Sequence, residues 1–160
     1  MTATLRVWTR DQIIATWQQL VIVVYRLETT ISGTHAVQET FDELARQYPG
    51  VFVLTVVEEH APIPAPDVRA MMARFLLTRA PQIVLSAVVY EGTGFRAAAV
   101  RTVVTGLALV SKLPYRHKIF ATVEDAARWF AESSPVAHDW GEAAIVDVVT
   151  KMREPAAMRA

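Results

Sequence analysis

The sequence predicts an α/β fold: one mixed, mostly parallel β-sheet of about five strands with flanking helices, in the order ββαβαβαβα, plus an extra C-terminal helix. Three observations predict it. Short runs rich in valine and isoleucine recur at residues 20–27, 51–58 and 83–90, with the length and β-branching of buried strands. Between them lie stretches whose apolar residues repeat at three- and four-residue spacing, the period of a helix with one buried face. Proline and glycine separate the two kinds of segment. Strands alternating with helices imply parallel pairing through right-handed crossovers. Two extended segments without a helix between them open the chain and make the sheet mixed.

The first extended segment covers residues 5–17, with a polar break at Arg10-Asp11-Gln12, and the second covers 20–27. Gln18-Gln19 between them marks a hairpin or bulge. Residues 34–48 read as a helix that buries Val37, Phe41, Leu44, Ala45 and Tyr48 and turns Glu39, Asp42, Glu43 and Arg46 away. Pro49-Gly50 stops it. After the strand at 51–58, three prolines between residues 61 and 66 make a rigid loop, because each fixes φ and removes a donor. Pro66 suits the first helical position and Asp67 the first turn. Val68, Met71, Met72, Phe75 and Leu76 form the apolar stripe of that helix, and core packing is the expectation for both methionines. The run at 83–90 is apolar on both faces, as a central parallel strand is. Gly92-Thr93-Gly94 opens a long apolar helix over 95–110, which Pro114 ends. A short strand follows at 118–121. Thr122 then caps a helix, with Asp125 three residues on. Ala126, Ala127, Trp129 and Phe130 supply its buried face. Residues 133–139 read as a loop, 140–153 as the last helix and 154–160 as a tail, so that a single domain spans 1–153.

Composition narrows the function classes. The chain has 160 residues, 52% of them hydrophobic, and sixteen basic side chains balance sixteen acidic ones. A generic nucleic-acid binder carries a basic surplus for phosphates, and there is none here. The absence of cysteine removes disulfides, thiolate metal sites and cysteine nucleophiles. No apolar run approaches the ~20 residues that span a bilayer, and Arg6, Arg10 and Asp11 come before any apolar run. The expectation is a cytoplasmic protein with no transmembrane segment and no nucleic-acid partner.

The segment Lys118-Ile-Phe-Ala-Thr-Val-Glu-Asp-Ala-Ala-Arg-Trp-Phe130, a short strand feeding a capped helix, resembles the terminal strand–helix of STAS-like domains, the group of the anti-sigma-factor antagonists. The opening pair of strands and the helix from Thr34 fit the same pattern, and the resemblance covers roughly residues 5 to 131. It implies a non-enzymatic regulatory or scaffolding module that binds a protein, a second copy of itself included, without a cofactor. One departure matters. Phosphorylatable STAS domains carry an Asp-Ser-Ser-Gly-like turn after the third strand. Residues 58–69 contain no serine, threonine or glycine, and Pro66 removes a donor there. A phosphate switch is not expected at that place.

Candidate sites follow from the rule that ligands of open α/β sheets bind beyond the carboxyl ends of the strands. Glu58, Glu59 and His60 end one strand, Glu91 and Thr93 follow another with Arg96 nearby, and residues 26–30 follow a third. Parallel strands would bring these loops to one edge. Their side chains suit a carboxylate–imidazole metal or acid–base site, or simply a solvated edge on which Glu pairs with Arg; the second reading is preferred, and no metal or catalytic residue is assigned. Gly92 and Gly94 read as glycines of a tight strand-to-helix turn rather than a phosphate cradle. The proline loop and the helix after it, with Pro64, Asp67 and Arg69, form the expected contact surface for a partner. The basic run Tyr115-Arg116-His117-Lys118 reads as a solvated loop, and Trp8 and Trp17 as core or as edge-strand contacts. Two other functions stay open: binding of a small apolar or anionic, lipid-like ligand against the long apolar helix, and an enzyme built on Glu59, His60 and Glu91.

Overall fold

The computed structural model describes residues 2–94, 97–98, 101–102 and 113–155. The expected helix over 95–110 and Arg96 lie largely or wholly outside them. The fold is α/β, with one mixed sheet whose six strands follow one another in chain order. These are β1 (Thr4–Trp8), β2 (Gln12–Trp17), β3 (Leu20–Tyr25), β4 (Val51–Val57), β5 (Ile83–Tyr90) and β6 (Arg116–Phe120). The pairs β1–β2 and β2–β3 are antiparallel, and β3 through β6 pair in parallel.

The strand count corrects the sequence reading. Residues 5–17 are two strands, not one, because Thr9 turns the chain between them. Its Oγ1 accepts the N–H groups of Asp11 and Gln12 at 3.2 and 3.0 Å. This is a side-chain-closed turn that uses neither glycine nor proline. Gln18 provides the other turn in the left-handed region, at φ 54°.

Helices α1 (Ile31–Ala45) and α2 (Pro66–Thr78) cover one face of the sheet. Thr30 caps α1 by accepting the Gly33 N–H at 3.0 Å. Buried Gln12 then ties the start of α1 to β2, donating from Nε2 to the Gly33 carbonyl at 3.2 Å. Phe41 of α1 meets Phe75 of α2 edge to face, ring centres 5.3 Å apart, over Val21, Val23, Val51 and Val53. The expected stripe of α2 is less buried than its periodicity implies. Only Val68 and Phe75 are buried, whereas Met71, Met72 and Leu76 are half-buried. Met72 and Leu76 still pack against the core from its margin, while Met71 does not join it.

The opposite face is covered by α3 (Val123–Ser133), α4 (Pro135–Trp140) and α5 (Glu142–Met152). Thr122 caps α3 as expected, accepting the Asp125 N–H at 3.1 Å. Residues 133–139 are mostly helix rather than loop, because Pro135 stands at the first position of α4. Gly141, at φ 88°, separates α4 from α5, so the expected single helix over 140–153 is divided. Trp140 packs edge-on against Trp17 and Phe52, and Trp129 and Phe130 lie beneath. No helix among the described residues is long and apolar enough to cross a membrane.

Candidate functional site

Because β3, β4 and β5 are parallel and adjacent, the loops leaving them share one edge, as the sequence implied. Backbone bonds fasten the exits together: Glu58 N–H donates to the Tyr25 carbonyl at 2.9 Å, and Glu91 N–H to that of Val57 at 3.0 Å. Two distinct places form there.

The outer one gathers Glu58 and Glu91 around Arg153, which follows the end of α5. Arg153 donates from Nη1 and Nη2 to the two Glu91 oxygens at 3.0 and 2.7 Å, and from Nη2 to Glu58 Oε2 at 2.5 Å. Arg26 Nε reaches Glu58 Oε1 at 3.4 Å while its guanidinium lies over the Trp8 ring. The hydrogen bonds from Arg153 to Glu91, then those to Glu58, hold the guanidinium proton more firmly than usual against the cost of partial burial. These contacts make the outer place a cluster of two carboxylates and two guanidinium groups. Glu59 and His60 are exposed beside it, as is Thr93, and no group of three metal-ligating side chains occurs among the described residues. Gly92 and Gly94 both have positive φ, 115° and 91°, which accounts for glycine at each.

The inner place is a cavity of about 130 Å³ between the sheet, α1, α2 and the proline loop. The register gives its floor in three rows. Val53, Ser86 and His117 stand side by side on β4, β5 and β6; Val23, Thr55 and Val88 form the next row; and Tyr25, Val57 and Tyr90 form the row at the carboxyl edge. Four residues separate the first row from the last, roughly 13 Å along the strands. Met72, Phe75 and Leu76 wall it from α2 and Val37 from α1, while Thr29, Pro62, Ile63, Pro64 and Arg69 surround the mouth. At the inner end Ser86 Oγ and His117 Nδ1 share a hydrogen bond of 2.9 Å. Burial pushes the His117 pKa down, favouring neutral imidazole. Burial likewise pushes the Tyr25 pKa well up, so that it stays a phenol.

The expected residues thus divide. Glu58 and Glu91 meet at the outer cluster, Pro64 and Arg69 line the cavity, and Asp67 is exposed, its Oδ1 accepting the Val68 N–H at 2.9 Å. The run at 115–118 is corrected: β6 begins at Arg116, and strand alternation turns His117 inward while Arg116 and Lys118 face out. Ser86, His117 and Arg153 were missed as site residues. For the first two a signal existed, a polar residue in an apolar strand and a histidine between two exposed cations. No family model, curated protein or solved structure matches the chain.

Proposed function

We propose that the chain is a non-enzymatic binding module that holds a small, largely apolar ligand in the cavity beneath α2. The observation that carries this is the cavity itself: about 130 Å³, walled mainly by valine, methionine, leucine and phenylalanine and opening at the carboxyl edge of the sheet. An engineered apolar cavity of about 150 Å³ takes up benzene, so a ring or a short branched chain is the scale that fits the enclosed part. The Ser86–His117 pair offers hydrogen bonding at the inner end, but Ser86 is mid-strand. Its backbone N–H belongs to a β-ladder, which argues against an oxyanion hole and therefore against a hydrolase.

The test is native mass spectrometry of freshly purified chain, followed by titration with an environment-sensitive apolar dye. The expected result is a retained small molecule or saturable dye binding, lost in Thr55→Phe, which fills the middle of the cavity. Dye binding unchanged by Thr55→Phe would refute the reading.

A second reading follows the resemblance to STAS-like domains: a regulatory module that meets a protein partner through the proline loop and α2. Ile63 and Leu77, 44% and 48% exposed, favour it as large apolar side chains open to solvent on those segments. Light scattering on the same samples addresses it; a strict monomer that retains no protein argues against it.

A further inference from the structure

The cavity is apolar, but its mouth is not neutral. Arg69, in the first turn of α2, lines it, and no aspartate or glutamate does so among the described residues. The Arg69 side chain makes no ion pair or hydrogen bond among the described residues, in contrast to Arg26, Arg79, Arg128 and Arg153, each of which holds a carboxylate. Asp67 already gives the N-terminal turn of α2 a negative charge, its Oδ1 accepting the Val68 N–H, so it is the guanidinium that stands without a counter-ion among the described residues. A bound anion would pair with it. Thr29 stands at the same mouth with a hydroxyl that makes no hydrogen bond among the described residues. Below the mouth the walls are mostly apolar, with Tyr25 and Tyr90 at the carboxyl edge, the Thr34 hydroxyl donating to the Thr30 carbonyl, and Thr55 and the Ser86–His117 pair farther in.

Building on the pocket reading above, we infer that the ligand is an amphiphilic carboxylic acid, its carboxylate on Arg69 and its hydrocarbon part running inward along β4 and β5. The slot of roughly 13 Å suits a medium-length aliphatic or arylalkanoic chain. An uncharged apolar molecule would leave the guanidinium unpaired, and a cationic amphiphile would be repelled by it.

Calorimetric titration with octanoate, octanol and octylamine separates these cases, since the three share a chain and differ in head group. Octanoate is expected to bind at least tenfold more tightly than octanol, with octylamine weakest, and added salt should weaken octanoate alone. Arg69→Gln should remove the preference for octanoate over octanol. Octanol bound as tightly as octanoate by the native chain, or a preference for octanoate that survives Arg69→Gln, overturns the assignment of the anion but leaves the pocket. Binding of none of the three overturns the pocket reading and this one with it. The ranking in the native chain decides the matter even if the variant does not fold.

Discussion

Replacing Arg153 by methionine keeps most of the stem and removes the guanidinium that joins α5 to the exits of β4 and β5. Three hydrogen bonds are lost, at 2.5, 2.7 and 3.0 Å, all to carboxylates. Hydrogen bonds to charged groups contribute roughly 1.5–3 kcal/mol each when well buried. Here the side chains of Arg153, Glu58 and Glu91 are 26%, 24% and 30% exposed, so water recovers part of the loss. Glu58 keeps Arg26, but Glu91 loses its ion pair with Arg153 and keeps a like charge beside it. The expected cost is about 2–3 kcal/mol, below the range for breaking a fully buried pair. For a domain of this size that corresponds to a fall in Tm of roughly 4–12 °C. Urea unfolding followed by circular dichroism gives the free energy, and calorimetry the Tm. Adding Glu91→Gln should restore part of the loss, with a coupling of about 1–2 kcal/mol in the double-mutant cycle. A cost under about 0.5 kcal/mol, or strict additivity with Glu91→Gln, would refute the view that this cluster fastens the last helix.

Two further predictions concern stability. Because burial lowers the His117 pKa from 6.5, the unfolded chain takes up that proton at higher pH than the folded one. Stability should therefore fall as pH drops below about 6.5, and His117→Gln should show a shallower loss between pH 7 and 5; identical slopes in urea titrations would count against a buried neutral imidazole. Gly92→Ala forces a side chain into φ 115° with its Cβ 3.0 Å from Glu59 Cγ, at a cost of about 1–3 kcal/mol. Gly94→Ala, where the space is open, should cost less, and equal unfolding midpoints would refute the role given to the close approach of Glu59.

How much could be read in advance depended on how local the cause was. Strands β3, β4 and β5 are legible as β-branched runs, α3 through Thr122 and Asp125, and α2 through Pro66, because each signal acts within a few residues. The convergence of Glu58 and Glu91 followed from strand direction alone. The turn at Thr9 is hidden because a hydroxyl closes it instead of a glycine, and α4 because Ser134-Pro135 suits a loop as well as a helix start. Arg153 carried no local signal at all: 95 residues separate it from Glu58 and 62 from Glu91. Ser86 and His117 become neighbours only once the β5–β6 register is known. Periodicity put Met72 and Leu76 on an apolar stripe correctly, yet it does not say whether such a stripe meets packed atoms or a void.

The two sides of the sheet are clothed at different moments of the chain's history. Each crossover helix arrives between the strands it joins, so α1 and α2 can settle as the ribbon grows. Among the described residues the helices that cover the far side all lie within 123–152, and those three helices together shelter Ile13, Ile22, Leu54, Phe52 and Ala87. A ribosome paused before that stretch would present an oily, fully pleated surface to the cell. These three helices thus act as the step that hides that surface, with the guanidinium of Arg153 as the latch that follows them.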